Sequence, residues 1–142
     1  MKINLYNYDH LKKSLDVILS GLMIVLLLPL LIAIGFVIKL DSRGPIIFIQ
    51  DRIGKNQKVF KILKFRTMKQ ETPQNKPTHL LDTPDQWLTK VGKFLRKTKI
   101  NELPQIINIL KGDISLVGPR PLVTKTFSAY SAEVQEKIYL VR

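Results

Sequence analysis

"VILSGLMIVLLLPLLIAIGFVI", residues Val17 to Ile38, runs for 22 residues without a charged side chain, between Asp16 and Lys39. As one unbroken helix it would be about 33 Å long, enough to cross a hydrocarbon core of about 30 Å. The run is too long for a cleaved leader, and no small-residue cleavage site precedes the next charged stretch. It marks a membrane protein.

Pro29 falls inside this run. Proline removes a backbone donor and clashes with the preceding turn, so a kink is expected near the middle. The two arms would be about 18 Å and 13 Å long, each too short to cross alone. Basic residues flank both ends: Lys12 and Lys13 before, then Lys39, Arg43, Arg52 and Lys55 after. The positive-inside rule wants both flanks in the cytoplasm. A helix–break–helix hairpin that enters and leaves by one face satisfies both, whereas a straight kinked span satisfies one. Composition alone favours the kinked span, because transmembrane helices tolerate proline, and it leaves both topologies open.

Beyond Lys39 about a hundred residues remain, a marginal size for an independent core, so membrane association is expected to complete the burial. "GPIIFIQ" (Gly44–Gln50) and "KVFKILKF" (Lys58–Phe65) read as β-strands of a hairpin or longer loop around Gly54-Lys55-Asn56. In the second run the alternation is too mixed to say which face is buried. Lys69 to Pro84, with Pro73, Pro77 and Pro84 among polar residues, reads as a loop. Thr83-Pro84-Asp85 reads as a helix start, and Trp87, Val91, Phe94 and Leu95 follow at helical spacing as a core face. A third helix is expected over Glu102–Leu110, with Pro104 in its first turn, Asn101 as its N-cap and Gly112 as its stop. Its free N–H groups would suit a phosphate. Ser131 to Leu140 is helix-like. The fold class expected is α+β, mostly helical: residues 1–38 embedded in the membrane, and residues 39–142 a small domain with a short β-hairpin.

The formal charge of +12, from 23 Lys and Arg against 11 Asp and Glu, calls for an anionic partner. Nucleic acid is set aside, because interleaved exposed aromatics and any recognisable binding motif are missing. Without cysteine there is no thiolate nucleophile, disulfide framework or cysteine-based zinc site. His10 and His79 lack metal-ligand spacing. Lys90, Lys93, Arg96, Lys97 and Lys99 make one helix end strongly basic, and that end runs straight into Asn101-Glu102.

Several blocks carry a resemblance: "KKSLD" (Lys12–Asp16), Pro29, "KLDSRGPIIFIQDRIGKN" (Lys39–Asn56), "FKILKFRTM" (Phe60–Met68), "GKFLRKT" (Gly92–Thr98) and "NELPQIINILKGDISLVGPRP" (Asn101–Pro121). Together they resemble the bacterial sugar transferases, the monotopic phosphoglycosyl transferases. The resemblance implies a re-entrant helix broken at Pro29, although Leu28 stands where the family often has Ser. It implies an enzyme on the cytoplasmic face of the bacterial inner membrane. That enzyme would move a phosphosugar from a UDP-sugar to polyprenyl (undecaprenyl) phosphate, releasing UMP, as the first membrane step of exopolysaccharide or glycoconjugate assembly. Its partners would be the lipid bilayer, the two substrates and downstream glycosyltransferases.

The family's reaction is ping-pong, with an Asp-Glu pair and Mg²⁺. The Asp attacks the β-phosphorus, and polyprenyl phosphate then resolves the acyl-phosphate. By this resemblance Glu102 is catalytic and a Mg²⁺ ligand, Arg96 and Arg120 contact phosphate, and Arg66 is a weaker phosphate candidate. Asp113 is expected to stabilise its loop. A carboxylate can serve as a covalent nucleophile, and phosphoryl transfer needs chiefly alignment and charge neutralisation. Here, however, Asn101 occupies the position of the nucleophilic Asp, and Lys99 stands where Ser is usual. "EKIYLVR" resembles the lead-in to a "PG-x-TG" segment and a nucleotide-holding C-terminal part, which the 142 residues do not include. The chain is therefore expected to be inactive or impaired. The alternative is a non-catalytic membrane protein that binds polyprenyl phosphate or a partner transferase.

Overall fold

The computed structural model describes residues 5–54, 58–72, 83–118, 121–123, 128 and 130–131. Helix α1 runs from Leu5 to Asp41, longer at both ends than the apolar run, and the helical assignment continues through Pro29. It is long and apolar enough to cross a membrane, and little of it is buried by the rest of the chain. Leu11, Ile18, Leu22, Val25, Leu26, Ile32, Phe36 and Leu40 are all exposed. In water that much apolar surface would be strongly unfavourable.

Strands β1 (Ile47–Ile53) and β2 (Val59–Phe65) form the expected hairpin. A short strand β3 (Leu122–Val123) pairs antiparallel with β1, Arg52 opposite Val123 and Ile53 opposite Leu122, giving the order β2-β1-β3. The ambiguous alternation of β2 resolves as Phe60 and Ile62 buried, with Val59 and Lys61 exposed. The fold is thus helical with a small antiparallel sheet.

Packing divides the chain into two compact units. One comprises Met1–Leu26, Ile49–Leu63 and Gln105–Arg142. Its polar centre is Asn108, 1% exposed on helix α3 (Gln105–Lys111). Asn108 Oδ1 accepts from Leu63 N at 3.0 Å, and Nδ2 donates to Lys61 O at 2.8 Å and Asp113 Oδ2 at 3.0 Å. A buried carboxamide costs little when its groups are met in this way. Asp113 thereby has the loop-stabilising contact expected of it. α3 stops where the sequence places the stop. Gly112 takes φ 79°, its N–H bonds Ile109 O at 2.9 Å, and Asp113 N bonds Asn108 O at 2.9 Å, a Schellman ending.

The other unit comprises Leu27–Phe48 and Lys64–Pro104. Its core joins Ile38 of α1, Phe65 and Leu95, with Leu31, Ile34, Ile46, Val91, Ile100 and Leu103 packed around them. Each fully buried side chain of this kind contributes about 1.5–3 kcal/mol. Leu95 belongs to helix α2 (Lys90–Thr98), which is capped twice: Thr89 Oγ1 accepts from Gly92 N at 2.9 Å, and Asp41 Oδ2 accepts from Val91 N at 3.1 Å. An acid at a helix N-terminus also complements its dipole.

Two helix boundaries correct the sequence reading. The helix starting at Thr83-Pro84-Asp85 is interrupted: Pro84–Trp87 is a 3-10 turn, Leu88 is extended, and α2 starts afresh at Lys90. Leu88 is drawn out of the helix by pairing with Met68, flanked by bonds from Lys69 N to Trp87 O and from Thr89 N to Thr67 O. Phe94, expected in the core, is 60% exposed. The third helix begins at Gln105 rather than Glu102. Ser131 is described, but the helix expected from it to Leu140 otherwise lies outside the described residues.

Candidate functional site

α2 ends in a left-handed residue. Lys99 takes φ 62° and ψ 5°, its N–H bonds Arg96 O, and the chain turns into the 3-10 segment Ile100–Glu102. Asn101 therefore caps no helix, contrary to expectation. The N–H groups of Glu102 and Leu103 are bonded to Lys99 O at 3.0 Å and Ile100 O at 3.1 Å. They are not donors for a phosphate, so the helix-terminus argument fails at this turn.

Side chains make the site instead. Glu102 Oε1 lies 3.2 Å from Lys64 Nζ of β2, with both side chains partly buried. Asn101 is partly buried, and its Oδ1 is a buried acceptor with no hydrogen-bond partner. Arg96, one turn earlier, donates from Nε to Thr67 Oγ1 at 2.8 Å. Among the described residues no partner takes its terminal nitrogens. Burial pushes its guanidinium pKa down, and the charge of Asp85 partly offsets this. An arginine remains cationic at neutral pH, so its free fork is available to an anion. Lys97 and Lys99 are exposed beside it.

Arg66 sits elsewhere. Its guanidinium is buried, with Nη1 donating to Arg43 O and Nη2 to Ser42 O at 2.7 Å and Ser42 Oγ at 2.9 Å. It closes the C-terminal end of α1, where unsatisfied carbonyls and the negative dipole end favour a cation. Arg120 lies outside the described residues.

A magnesium ion takes oxygen ligands and is typically held through one or two carboxylates, with water and phosphate oxygens completing its shell. Glu102 supplies a carboxylate, and the unpartnered Asn101 Oδ1 supplies a neutral oxygen, so the donors present fit such an ion. Among the described residues no three His, Asp or Glu gather as a ready-made cage.

Three positioning residues escaped the sequence reading. Thr67 orients Arg96, and its only signal is its place in the "FRTM" block. Asn108 is the one polar side chain on an otherwise apolar helix face, a visible anomaly in "IINIL". Asp16, the last charge before the apolar run, accepts from Ser115 Oγ at 2.7 Å and Leu116 N at 3.3 Å.

The chain is 40% identical over 132 residues to a UDP-N-acetylgalactosamine-undecaprenyl-phosphate N-acetylgalactosaminephosphotransferase of Aeromonas hydrophila, an alignment covering 93% of this chain and 31% of that protein. It is 45% identical over 111 residues to a UDP-glucose:undecaprenyl-phosphate glucose-1-phosphate transferase of Escherichia coli (strain K12), covering 78% of this chain and 24% of that protein. A transferase of the same description from Caulobacter vibrioides is 42% identical over 130 residues, covering 90% and 48%. The chain thus spans between about a quarter and about half the length of these relatives. The family model for bacterial sugar transferases matches residues 7–142. With nearly the whole chain inside that match, the protein belongs to the bacterial sugar transferase family.

Proposed function

We propose that the protein acts at the cytoplasmic face of the bacterial inner membrane. Its substrates would be a UDP-sugar and undecaprenyl phosphate, and its reaction class transfer of a sugar phosphate from the first to the second. The observation that carries this is the Lys64–Glu102 ion pair at the turn that follows α2, together with Arg96 near the end of α2, whose terminal nitrogens no described residue takes. Cations so placed neutralise the oxygens of a diphosphate and fix its orientation, which is most of what phosphoryl transfer asks of a protein. Glu102 and the Oδ1 of its sequence neighbour Asn101 would hold Mg²⁺, which supplies further charge neutralisation when bound. The named functions of the relatives support the choice of substrates.

The covalent step is the exception. A carboxamide presents no anionic oxygen to phosphorus, so Asn101 does not form the acyl-phosphate that a carboxylate there would form. In this reading the site binds both phosphorylated substrates without ping-pong turnover. We further take α1 to be re-entrant at Pro29, with Lys13 and Arg43 on the same side; the basic flanks support this.

The test is UMP release by the purified protein in nanodiscs, over a panel of UDP-sugars and with undecaprenyl phosphate, alongside direct binding of both substrates. Binding without UMP release is expected, with Asn101→Asp gaining an adduct visible by intact mass when the lipid is withheld. UMP release by the Asn101 protein as fast as by its Asp variant would sink the covalent assignment.

A further inference from the structure

The end of α3 and the loop after it lie along α1 at the point where its apolar run begins. Three contacts set that register, all within one compact unit. Ser115 Oγ and Leu116 N both bond the Asp16 carboxylate, the last charge before the run. A Cβ built on Gly112 would lie 3.8 Å from Lys13 Cε. A Cβ built on Gly21 would lie 4.0 Å from Leu110 Cδ1. Gly21 is four residues past Val17, about 6 Å farther along the helix axis.

Three large apolar side chains on this segment have little cover. Leu110 is 40% exposed, Leu116 43% and Val117 74%. Around them the cations Lys12, Lys13 and Lys111 occupy the polar end of the same region. Apolar groups at one level and lysines at the next is the arrangement that suits the boundary between acyl chains and anionic headgroups. A bilayer that covers α1 from Val17 onward reaches the depth of Leu110, because Leu110 packs beside Gly21.

We propose that Leu110, Leu116 and Val117 form a second membrane contact, inserted at the acyl–headgroup boundary and held at that depth by Asp16. The proposal rests on α1 being embedded in the bilayer. It makes the Ser115–Val117 loop an interfacial element.

The chain has no cysteine, so single fluorophores can be placed cleanly. Labels on Val117→Cys, on Leu22→Cys inside the apolar run, and on exposed Asp85→Cys would be compared. The protein would sit in vesicles of phosphatidylethanolamine and phosphatidylglycerol with brominated acyl chains. Bromine quenching at positions 117 and 22, but not at 85, is the expected result. Quenching at 22 with position 117 behaving like 85 overturns this contact and leaves the embedding of α1 intact. Quenching at neither 22 nor 117 overturns the embedding itself, and the contact with it. Shielding of position 117 that depends on the number of copies per vesicle, without bromine quenching, assigns the patch to a second copy of the chain and also overturns the proposal.

Discussion

Lys64 Nζ reaches Glu102 Oε1 across 3.2 Å, tying the end of β2 to the turn that carries Asn101. The side chains are 14% and 32% exposed, so the pair is only partly screened by water. Replacing one partner leaves the other with less compensation. Lys64→Met is expected to lower stability by about 1 kcal/mol and to weaken UDP binding, while Lys64→Arg keeps most of both. Thermal unfolding in detergent and calorimetric titration check this. An unchanged UDP affinity in a folded Lys64→Met protein would make the pair structural only.

Asn101→Asp is expected to lower stability in the absence of metal. Asn101 Oδ1 is a buried acceptor with no hydrogen-bond partner, and a carboxylate there adds a charge that no described donor meets, at a cost of about 1–3 kcal/mol. Added Mg²⁺ should reduce that cost. Denaturation midpoints of the two proteins with and without Mg²⁺ would read this directly; equal midpoints that Mg²⁺ leaves unchanged count against it.

Gly92→Ala tests how α2 is seated. A Cβ at Gly92 would collide with the Thr67 carbonyl, a backbone group that cannot swing aside. Thr67 also holds Arg96 through its hydroxyl. The substitution should cost about 1–3 kcal/mol and weaken phosphate binding through displaced Arg96. Lys93→Ala, one residue on and exposed, should do neither. Equal stability of the two variants would mean that α2 does not pack this closely.

What the sequence made legible was local. The charge-free run of α1, the hairpin around Gly54 and the stop at Gly112 each depend on neighbouring residues alone. What it hid was set by distant partners. Leu88 is extended because Met68, twenty residues earlier, pairs with it. Arg66 reads as a phosphate candidate until its acceptors on Ser42 and Arg43 are known. Asn101 reads as a helix cap because nothing in its own spacing announces the left-handed turn at Lys99. Glu102 and Arg96 are candidates by resemblance alone, and their partners Lys64 and Thr67 needed the fold.

Topology gives a separate prediction. Cysteines at Leu11 and Arg43, both exposed, should resist a membrane-impermeant thiol reagent in intact cells. Labelling of one of the two from outside would establish a straight span. Pro29→Ala should move the protein toward that straight span by adding a backbone donor and removing the ring that favours a kink.

Asp16→Ala removes the acceptor for both Ser115 Oγ and Leu116 N. The expected cost is about 1 kcal/mol, with faster amide exchange confined to the loop from Asp113 to Gly118. Asp16→Asn, which keeps one carbonyl oxygen, should fall between. Exchange that quickens throughout α1 instead would show Asp16 acting on the helix and not on the loop.

The amide of Asn108 imitates a neighbouring strand. It meets Leu63 N and Lys61 O on β2, an edge strand of the described sheet, with the same acceptor and donor that a peptide group would offer. An open strand edge is a template on which another chain can add. Here one side chain plugs that template at its middle, and it does so only once α3 has docked. A chain in which α3 is undocked therefore presents Leu63 N and Lys61 O of β2 to any other strand, so the seven-residue helix guards against association as well as filling the core.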